Sequence, residues 1–369
     1  MSCQTVGLHK IACRGPGDLA EAQRLLEIGA LDPLEIVAVI GKTEGNGCVN
    51  DFTREFATQA WCALLAPLLG CAPQEVHRRV AFVMSGGTEG VLSPHFTVVT
   101  RRAGGVPRPG VKRLVVGVAF TRDFLPEEIG RMAQVDETAK AVAVAMRDAG
   151  IDDPADVHFV QVKCPLLTAA KMAAAASRRA TLAAHDTYDS MGASRGASAL
   201  GVAVALGEIE ASSLSDHVIG RDTALFSGVA SASAGIELDH NVVIVLGMGE
   251  QGGGEWMIDH GVMRDAIDAA SVRDVLRRLG FDPDRDASAI AARVFNVFAK
   301  SEAAPDGLVR DARHTMLNDS DIHSTRHARA AVGAVLASVV GQTALYVSGG
   351  AEHQGPAGGG PFAVVARAE

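Results

Sequence analysis

EIVAVIGK at residues 35–42 and RVAFVMSGG at residues 79–87 are two apolar runs with polar or glycine stops, and their recurrence decides the fold. Short β-branched and aromatic runs bounded by Gly or charge read as strands. The first run ends on Lys42 and the second reaches Ser85. Between them, TREFATQAWCALLAPLLG (residues 53–70) reads as a helix with Arg54 at its start. HFTVVTR (residues 95–101) closes the segment as a third strand.

The same order returns twice. DVHFVQVK ends on Lys163, SRGASALGVAVALGEI carries Arg195, LFSGVASASAG carries Ser233, and NVVIVLG closes the unit. RVFNVFAK ends on Lys300, TRHARAAVGAVLASVVG carries Arg326, TALYVSGG carries Ser348, and PFAVVAR closes the chain. The Lys–Arg–Ser order is constant while the spacing varies, as loops of different length between fixed elements would produce. Self-similarity on this scale means a repeat architecture. Three α+β repeats are expected, at residues 1–104, 112–249 and 255–369. The Gly-rich breaks RRAGGVPRPGVKR and GMGEQGGGEW separate them. Further helices are expected in GDLAEAQRLLEIGA (17–30), LPEEIGRMAQVDETAKAVAVAMRDAG (125–150) and GVMRDAIDAASVRDVLRRLG (261–280).

Three such units can pack about a pseudo-threefold axis, which brings equivalent strand ends together. A cavity lined by Lys42, Lys163 and Lys300, by Ser85, Ser233 and Ser348, and by Arg54, Arg195 and Arg326 would be cationic. It suits an anionic or carbonyl-rich ligand with threefold shape. A partly buried Lys beside other cations loses its proton readily. A neutral Lys can take the proton of a Ser hydroxyl and generate an acyl-transfer nucleophile. The small residues after each Ser (Gly86 and Gly87, Ala234 and Gly235, Gly349 and Gly350) expose backbone N–H groups. Such donors at an oxyanion are worth about 3 kcal/mol each. Repeats one and three read Ser-Gly-Gly and repeat two reads Ser-Ala-Gly, so the second site differs. Ser231, two residues earlier on the same strand face, is a rival nucleophile.

The composition bounds the alternatives. The chain has 369 residues, 48% hydrophobic and 21% charged, with net charge -9. Acidity and the lack of a Lys/Arg cluster argue against nucleic acid as partner. No signal-peptide pattern or membrane-length apolar run is present, and six cysteines without a CxxC pair read as reduced thiols, so a cytoplasmic protein is expected.

GKTEGNGCVNDFTRE, VMSGGTEGVLSPH, FTRDFLPEEIGR, HFVQVKCPLLT, ASASAGIEL, NVFAKSEAAPDG, RHTMLNDSDIHSTRHARA and YVSGGAEHQGPAGGGPFAV resemble the ring-opening amidohydrolases, the family of cyanuric acid hydrolases and barbiturases. The resemblance runs over essentially the whole chain. It implies a Toblerone-like barrel of three repeats, sheets inside and helices outside, assembled as a homotetramer. It implies hydrolysis of cyanuric acid to carboxybiuret, which decarboxylates to biuret, with Ser233 as nucleophile and Lys163 as base. Arg54, Arg195, Arg326, Ser85, Gly86, Ala234, Ser348, Gly349, Lys42 and Lys300 would hold the ring. It implies no organic cofactor but a structural Mg²⁺ or Ca²⁺ in the third repeat. Glu302 would give its carboxylate, with backbone and amide oxygens around Ala351, Gln354, Gly355, Pro356 and Gly359. Hard cations take such oxygens.

Two alternatives stay open. Barbituric acid also has three ring carbonyls, and His323 stands where the hydrolases of the family carry Asn. A non-catalytic binder of cyclic imides would use the same cations. Other signals are weaker. GKT at 41–43 lacks the earlier Gly of a P-loop. His323 and His327 suit a capping role better than half a zinc site. Cys164 suits burial better than catalysis.

Overall fold

The computed structural model describes residues 3–369. The chain is α+β and builds three four-stranded sheets in succession. In the first, β1 (Gln4–Ala12), β2 (Ile36–Thr43), β3 (Ala81–Gly86) and β4 (His95–Ala103) lie in the order β1-β4-β2-β3, with α1 (Ala20–Glu27) and α2 (Phe52–Leu69) as its helices. In the second, β5 (Arg113–Phe120), β6 (Val157–Pro165), β7 (Ala230–Gly235) and β8 (Val242–Gly249) lie in the order β5-β8-β6-β7, with α3 (Met132–Ala149), α4 (Ala169–Ser177) and α5 (Thr187–Ala205). The third comprises β9 (Trp256–Met263), β10 (Val294–Ser301), β13 (Tyr346–Gly349) and β14 (Gly360–Arg367) in the order β9-β14-β10-β13. Its helices are α6 (Ala269–Arg278), α7 (Ala287–Arg293) and α8 (Ser324–Val340), and a hairpin of β11 (Leu308–Val309) and β12 (Ala312–Arg313) lies outside the sheet.

The wiring is the same each time: first strand, last, second, third. Only the second–third pair is parallel. The register slips once at the start of each second strand, between Ile36 and Ala38, Val157 and Phe159, and Val294 and Asn296. These second strands are nearly continuous apolar runs because both faces are covered. Ala38 and Ile40 face a core shared by all three sheets, with Val116, Phe159, Ile258, Phe298 and Tyr346. Val39, one residue along, faces the other way onto Trp61 and Leu65 of α2. Period-two alternation thus splits each strand between an inter-sheet core and a sheet–helix core. The other two sheet–helix cores bury Val142 and Met146 of α3, and Leu276 and Leu336 of α6 and α8.

Local signals explain the helix ends. The Asp51 carboxylate caps α2 by accepting from the Thr53 amide at 3.0 Å, and Gly70 ends it in the left-handed region (φ 62°). Gly150 and Gly341 end α3 and α8 in the same way.

Each sheet has four strands where the sequence pattern suggested three. The additional ones, β1, β5 and β9, are the first in each unit and lie at sheet edges. Residues 261–263, expected to open a helix, are the end of β9. In β1 and β9 the alternation is diluted by His, Lys and Asp, which point into the seams between sheets. At one seam Gln4 of β1 donates to the Ala149 carbonyl and accepts from the Val116 amide of β5. Among the described residues, no helix is long and apolar enough to cross a membrane.

Candidate active site

The parallel pairs put each lysine beside a serine. Lys42 pairs in register with Ser85, Lys163 with Ser233 and Lys300 with Ser348. All six lie at the carboxyl ends of their strands, where the three sheets meet. Lys42 Nζ donates to Ser85 Oγ at 3.2 Å and to the Gly86 carbonyl at 3.1 Å. Lys300 repeats this with Ser348 Oγ at 3.2 Å and the Gly349 carbonyl at 3.1 Å. Two cross-sheet bonds lace the sheets together: Lys300 to the Ala232 carbonyl at 2.8 Å and Lys163 to the Met84 carbonyl at 2.9 Å.

One tight pocket, about 20 Å³ of free space, is lined by Ser85, Ser233 and Ser348, by Gly86, Ala234 and Gly349, by Gly47 and Met191, and by three arginines. Two of these, Arg54 and Arg195, were expected. The third is Arg329 and not Arg326. Arg329 is 3% exposed, whereas the Arg326 side chain is 37% exposed and donates to Glu89 from outside the pocket. The two residues are nearly one helical turn apart on α8, and the second turn is the one that meets the pocket.

The carboxylates opposite these arginines escaped the sequence reading, although a signal existed. Glu follows each Ser by four residues, at Glu89, Glu237 and Glu352. Glu89 of the first unit accepts a two-pronged bond from Arg329 of the third (2.6 and 2.7 Å). Glu352 of the third does the same for Arg195 of the second (2.6 and 2.7 Å). Paired parallel bonds fix a guanidinium in plane and direction.

The middle unit breaks the pattern. Glu237 reaches Lys163 Nζ at 3.0 Å and leaves Arg54 to backbone carbonyls, those of Ala234 (3.2 Å) and Cys48 (2.9 Å). Ser233 Oγ, unlike its two counterparts, has no hydrogen-bond partner. The second small residue differs accordingly. Gly87 (φ 103°) and Gly350 (φ 76°) take left-handed conformations beneath the guanidinium groups of Arg329 and Arg195. Gly235 stays out of that region and has the Glu237 carboxylate over it. Ser231 stands opposite Gln161, so geometry gives that rival no base.

Burial sets the electrostatics. It pushes Lys42 well below the ordinary lysine range, with Arg329 adding to the effect. Lys300 falls to about 7 through burial and then Arg195. Lys163 is lowered by burial, while the Glu237 carboxylate pulls it back up. Burial opposes ionisation of Glu237, yet Lys163 and Arg54 outweigh it and hold the group below its usual value.

The residues expected around a hard cation lie together beside this pocket. Glu302 is raised to about 7, first by burial and then by the nearby Glu352 carboxylate, and the Ala351 amide is its hydrogen-bond donor. Glu352 is answered by Arg195, whereas among the described residues Glu302 has only that one donor and is a half-buried carboxylate that suits a cation. The Gln354 side-chain amide oxygen accepts from the Ala232 amide at 2.6 Å, which uses one of its two lone pairs. Backbone oxygens of Ala351, Gln354, Gly355, Pro356 and Gly359 are the further ligands such an ion would take beside Glu302. Elsewhere, His158, Asp259 and His260 cluster at the seam of β6 and β9, with the Asp259 carboxylate taken by Arg278 at 2.6 Å. His323 caps α8 by accepting from the Thr325 amide and meets Tyr188 Oη at 2.6 Å; His327 pairs with Asp319 at 2.9 Å. Cys164 is buried in β6.

A family described as amidohydrolase ring-opening protein matches residues 7–367. A cyanuric acid amidohydrolase of Pseudomonas sp. (strain ADP) is 62% identical over 98% of this chain and 99% of its own length. A cyclic amide hydrolase of Azorhizobium caulinodans is 50% identical over 98% of this chain and 100% of its own. Among solved structures, a cyanuric acid hydrolase described as an innovation by structural concatenation superposes with TM-score 0.95 at 61% identity, over 99% of this chain and 100% of that one. Another, from A. caulinodans, gives 0.91 at 51% identity, over 99% of each.

Proposed function

Because this chain belongs to the family of ring-opening amidohydrolases, we propose that it hydrolyses cyanuric acid to carboxybiuret, which loses carbon dioxide to give biuret. Three Lys–Ser pairs around one pocket, with three arginines, carry the reading, since they match three carbonyls on one ring. The relatives named for cyanuric acid support the choice of ring.

In this reading the units at 1–104, 112–249 and 255–369 are three repeats around a pseudo-threefold axis, in a cytoplasmic homotetramer. Arg54, Arg195 and Arg329 orient the ring carbonyls, and Ser85 and Ser348 donate to two of them, backed by Lys42 and Lys300. Ser233 attacks the third. Its oxygen is the one of the three serine oxygens with no bond to give up. Neutral Lys163 takes the Ser233 proton as the Oγ–carbon bond forms, and backbone N–H groups near Ala234 steady the oxyanion. The ring C–N bond then breaks and Lys163 passes the proton to the departing nitrogen. Water clears the acyl-enzyme and restores Ser233.

Glu302, with carbonyls of Ala351, Gln354, Gly355, Pro356 and Gly359, would hold a Mg²⁺ or Ca²⁺. Such an ion supplies charge neutralisation and holds the loop together. That loop sends the Gln354 amide to Ala232, the residue before Ser233, so a fixed loop means a fixed nucleophile strand.

The test is loss of ultraviolet absorbance of cyanuric and barbituric acids, side by side, with native protein and with Ser233→Ala. Cyanuric acid is expected to be consumed, with the substitution lowering kcat by about 10⁴-fold or more. Consumption of barbituric acid alone would move the substrate to the pyrimidine ring. Binding without turnover in the native protein would sink the enzymatic reading.

A further inference from the structure

The central pocket is lined by the serines and by none of the lysines. Lys163 instead lines a second cavity of about 320 Å³, which Lys42 and Lys300 do not reach. This cavity lies between the first and second units, walled by Thr58 and Phe82 on one side and Phe120 and Val242 on the other. The buried Lys163 marks its inner end, with the Glu237 carboxylate, its side chain 19% exposed, against it. Asp123, Asp239 and His240, with side chains 77%, 60% and 33% exposed, mark its mouth.

The deacylation step proposed above needs a water after the ring has filled the tight central pocket. With the ring seated against the three serines, this tight pocket leaves little room for waters. The seam cavity is large and polar enough for several. It is also the place where the threefold pattern fails, because Glu237 has left the arginine that its two counterparts keep.

We propose that the seam cavity is a second entrance to the catalytic base, which brings the hydrolytic water to Lys163, and that Glu237 is the positioning residue holding the amine at its inner end. This rests on the ring-opening reading of the site. In the step served, neutral Lys163 takes one proton from the water as the water oxygen bonds to the acyl carbon. The carbon–Oγ bond then breaks, and the same proton returns to Ser233 Oγ. Glu237 stays ionised throughout and holds the Lys163 amine at 3.0 Å, beside the Met84 carbonyl at 2.9 Å. The arrangement gives a physical reason for chemistry at the middle dyad, since of the three lysines only Lys163 has both a carboxylate and the seam cavity beside it.

The charged groups facing Lys163 are Glu237 and Arg54, with the Cys164 thiol, pushed up by burial, beside them. Those further out in the cavity are His77, Asp123, Asp239 and His240. Removing the Glu237 charge takes away the strongest influence holding the ammonium form. Lys163 is then neutral at lower pH, so the acid limb of kcat/KM moves down.

Pre-steady-state ultraviolet kinetics on cyanuric acid would compare native enzyme with His240→Trp, Asp239→Trp, Glu237→Gln and Glu89→Gln. Either tryptophan at the mouth is expected to slow water entry. It should give a burst of one ring per active site and lower kcat and KM together by about tenfold, leaving kcat/KM unchanged. Glu237→Gln should shift the acid limb down by about one pH unit. Glu89→Gln, which frees Arg329, should raise KM and leave the limb in place. Unchanged kcat in both tryptophan variants, each checked for native melting, or an unmoved limb in Glu237→Gln would overturn the inference alone. No turnover by the native enzyme would overturn the ring-opening reading and this inference with it.

Discussion

At the scale of single residues, the site separates side chains that sequence treats as equals. Arg326 and Arg329 share the start of one helix, and both touch Glu89. Three residues of helix rise move a guanidinium by about 4.5 Å, and that displacement puts only Arg329 over the serines. Arg329→Lys keeps the charge and loses the planar fork. It should raise KM for cyanuric acid about 10- to 100-fold, as expected for losing charge-assisted bonds. Arg326→Lys, at a half-exposed position, should stay within about twofold in KM and about 0.5 kcal/mol in stability. The reverse ranking in steady-state kinetics would return Arg326 to the ligand shell. The three recurring glutamates were open to the same inspection that found the lysines. A carboxylate near a cationic pocket becomes informative only once the fold sets an arginine opposite it, as it does for Glu89 and Glu352.

At the scale of elements, caps and turns set the site's rim. Asp51 caps α2 with one carboxylate oxygen and accepts from the Gly47 amide at 2.8 Å with the other. It therefore starts the helix that carries Arg54 and also fixes the loop that gives Gly47 to the pocket. Asp51→Ala should cost about 1–2 kcal/mol by thermal unfolding, in the range for losing an N-cap. KM should rise along with that loss. A stability loss with unchanged KM would detach the loop from ligand binding. Strands and helices with strong periodicity were legible in sequence: every Lys-ended and Ser-ended run is a strand where expected. The edge strands β1 and β9 were not, because residues facing a seam need not alternate apolar and polar. Their polar side chains are satisfied across the seam, as Gln4 is by Ala149 and Val116.

At the scale of the whole molecule, the loop after Ser348 ties the third unit to the second. Ser227 donates its amide to the His353 carbonyl at 3.0 Å, and the Gly355 amide donates to the Ser227 carbonyl at 3.1 Å. The Gln354 bond to Ala232 completes the tie. A cation shared by Glu302 and this loop would stabilise the fold by mass action, about 2.7 kcal/mol at one hundred times its Kd. Chelation is accordingly expected to lower both Tm and kcat, with Mg²⁺ or Ca²⁺ restoring them and Glu302→Gln reproducing the loss. Identical melting curves with and without chelator would remove the cation from the account.

Sequence by itself determined the recurring order of Lys-ended strand, helix and Ser-ended strand, and it named the lysines and serines that the fold pairs in register and two of the arginines beside them. These follow from periodicity and from residues at element ends, which are local properties repeated three times. Tertiary structure decided which third arginine enters, which glutamate answers which arginine, and why the middle dyad stands apart. Those outcomes depend on distances between units far apart in the chain. There a shift of a few ångströms exchanges one ion pair for another, and no local pattern encodes it.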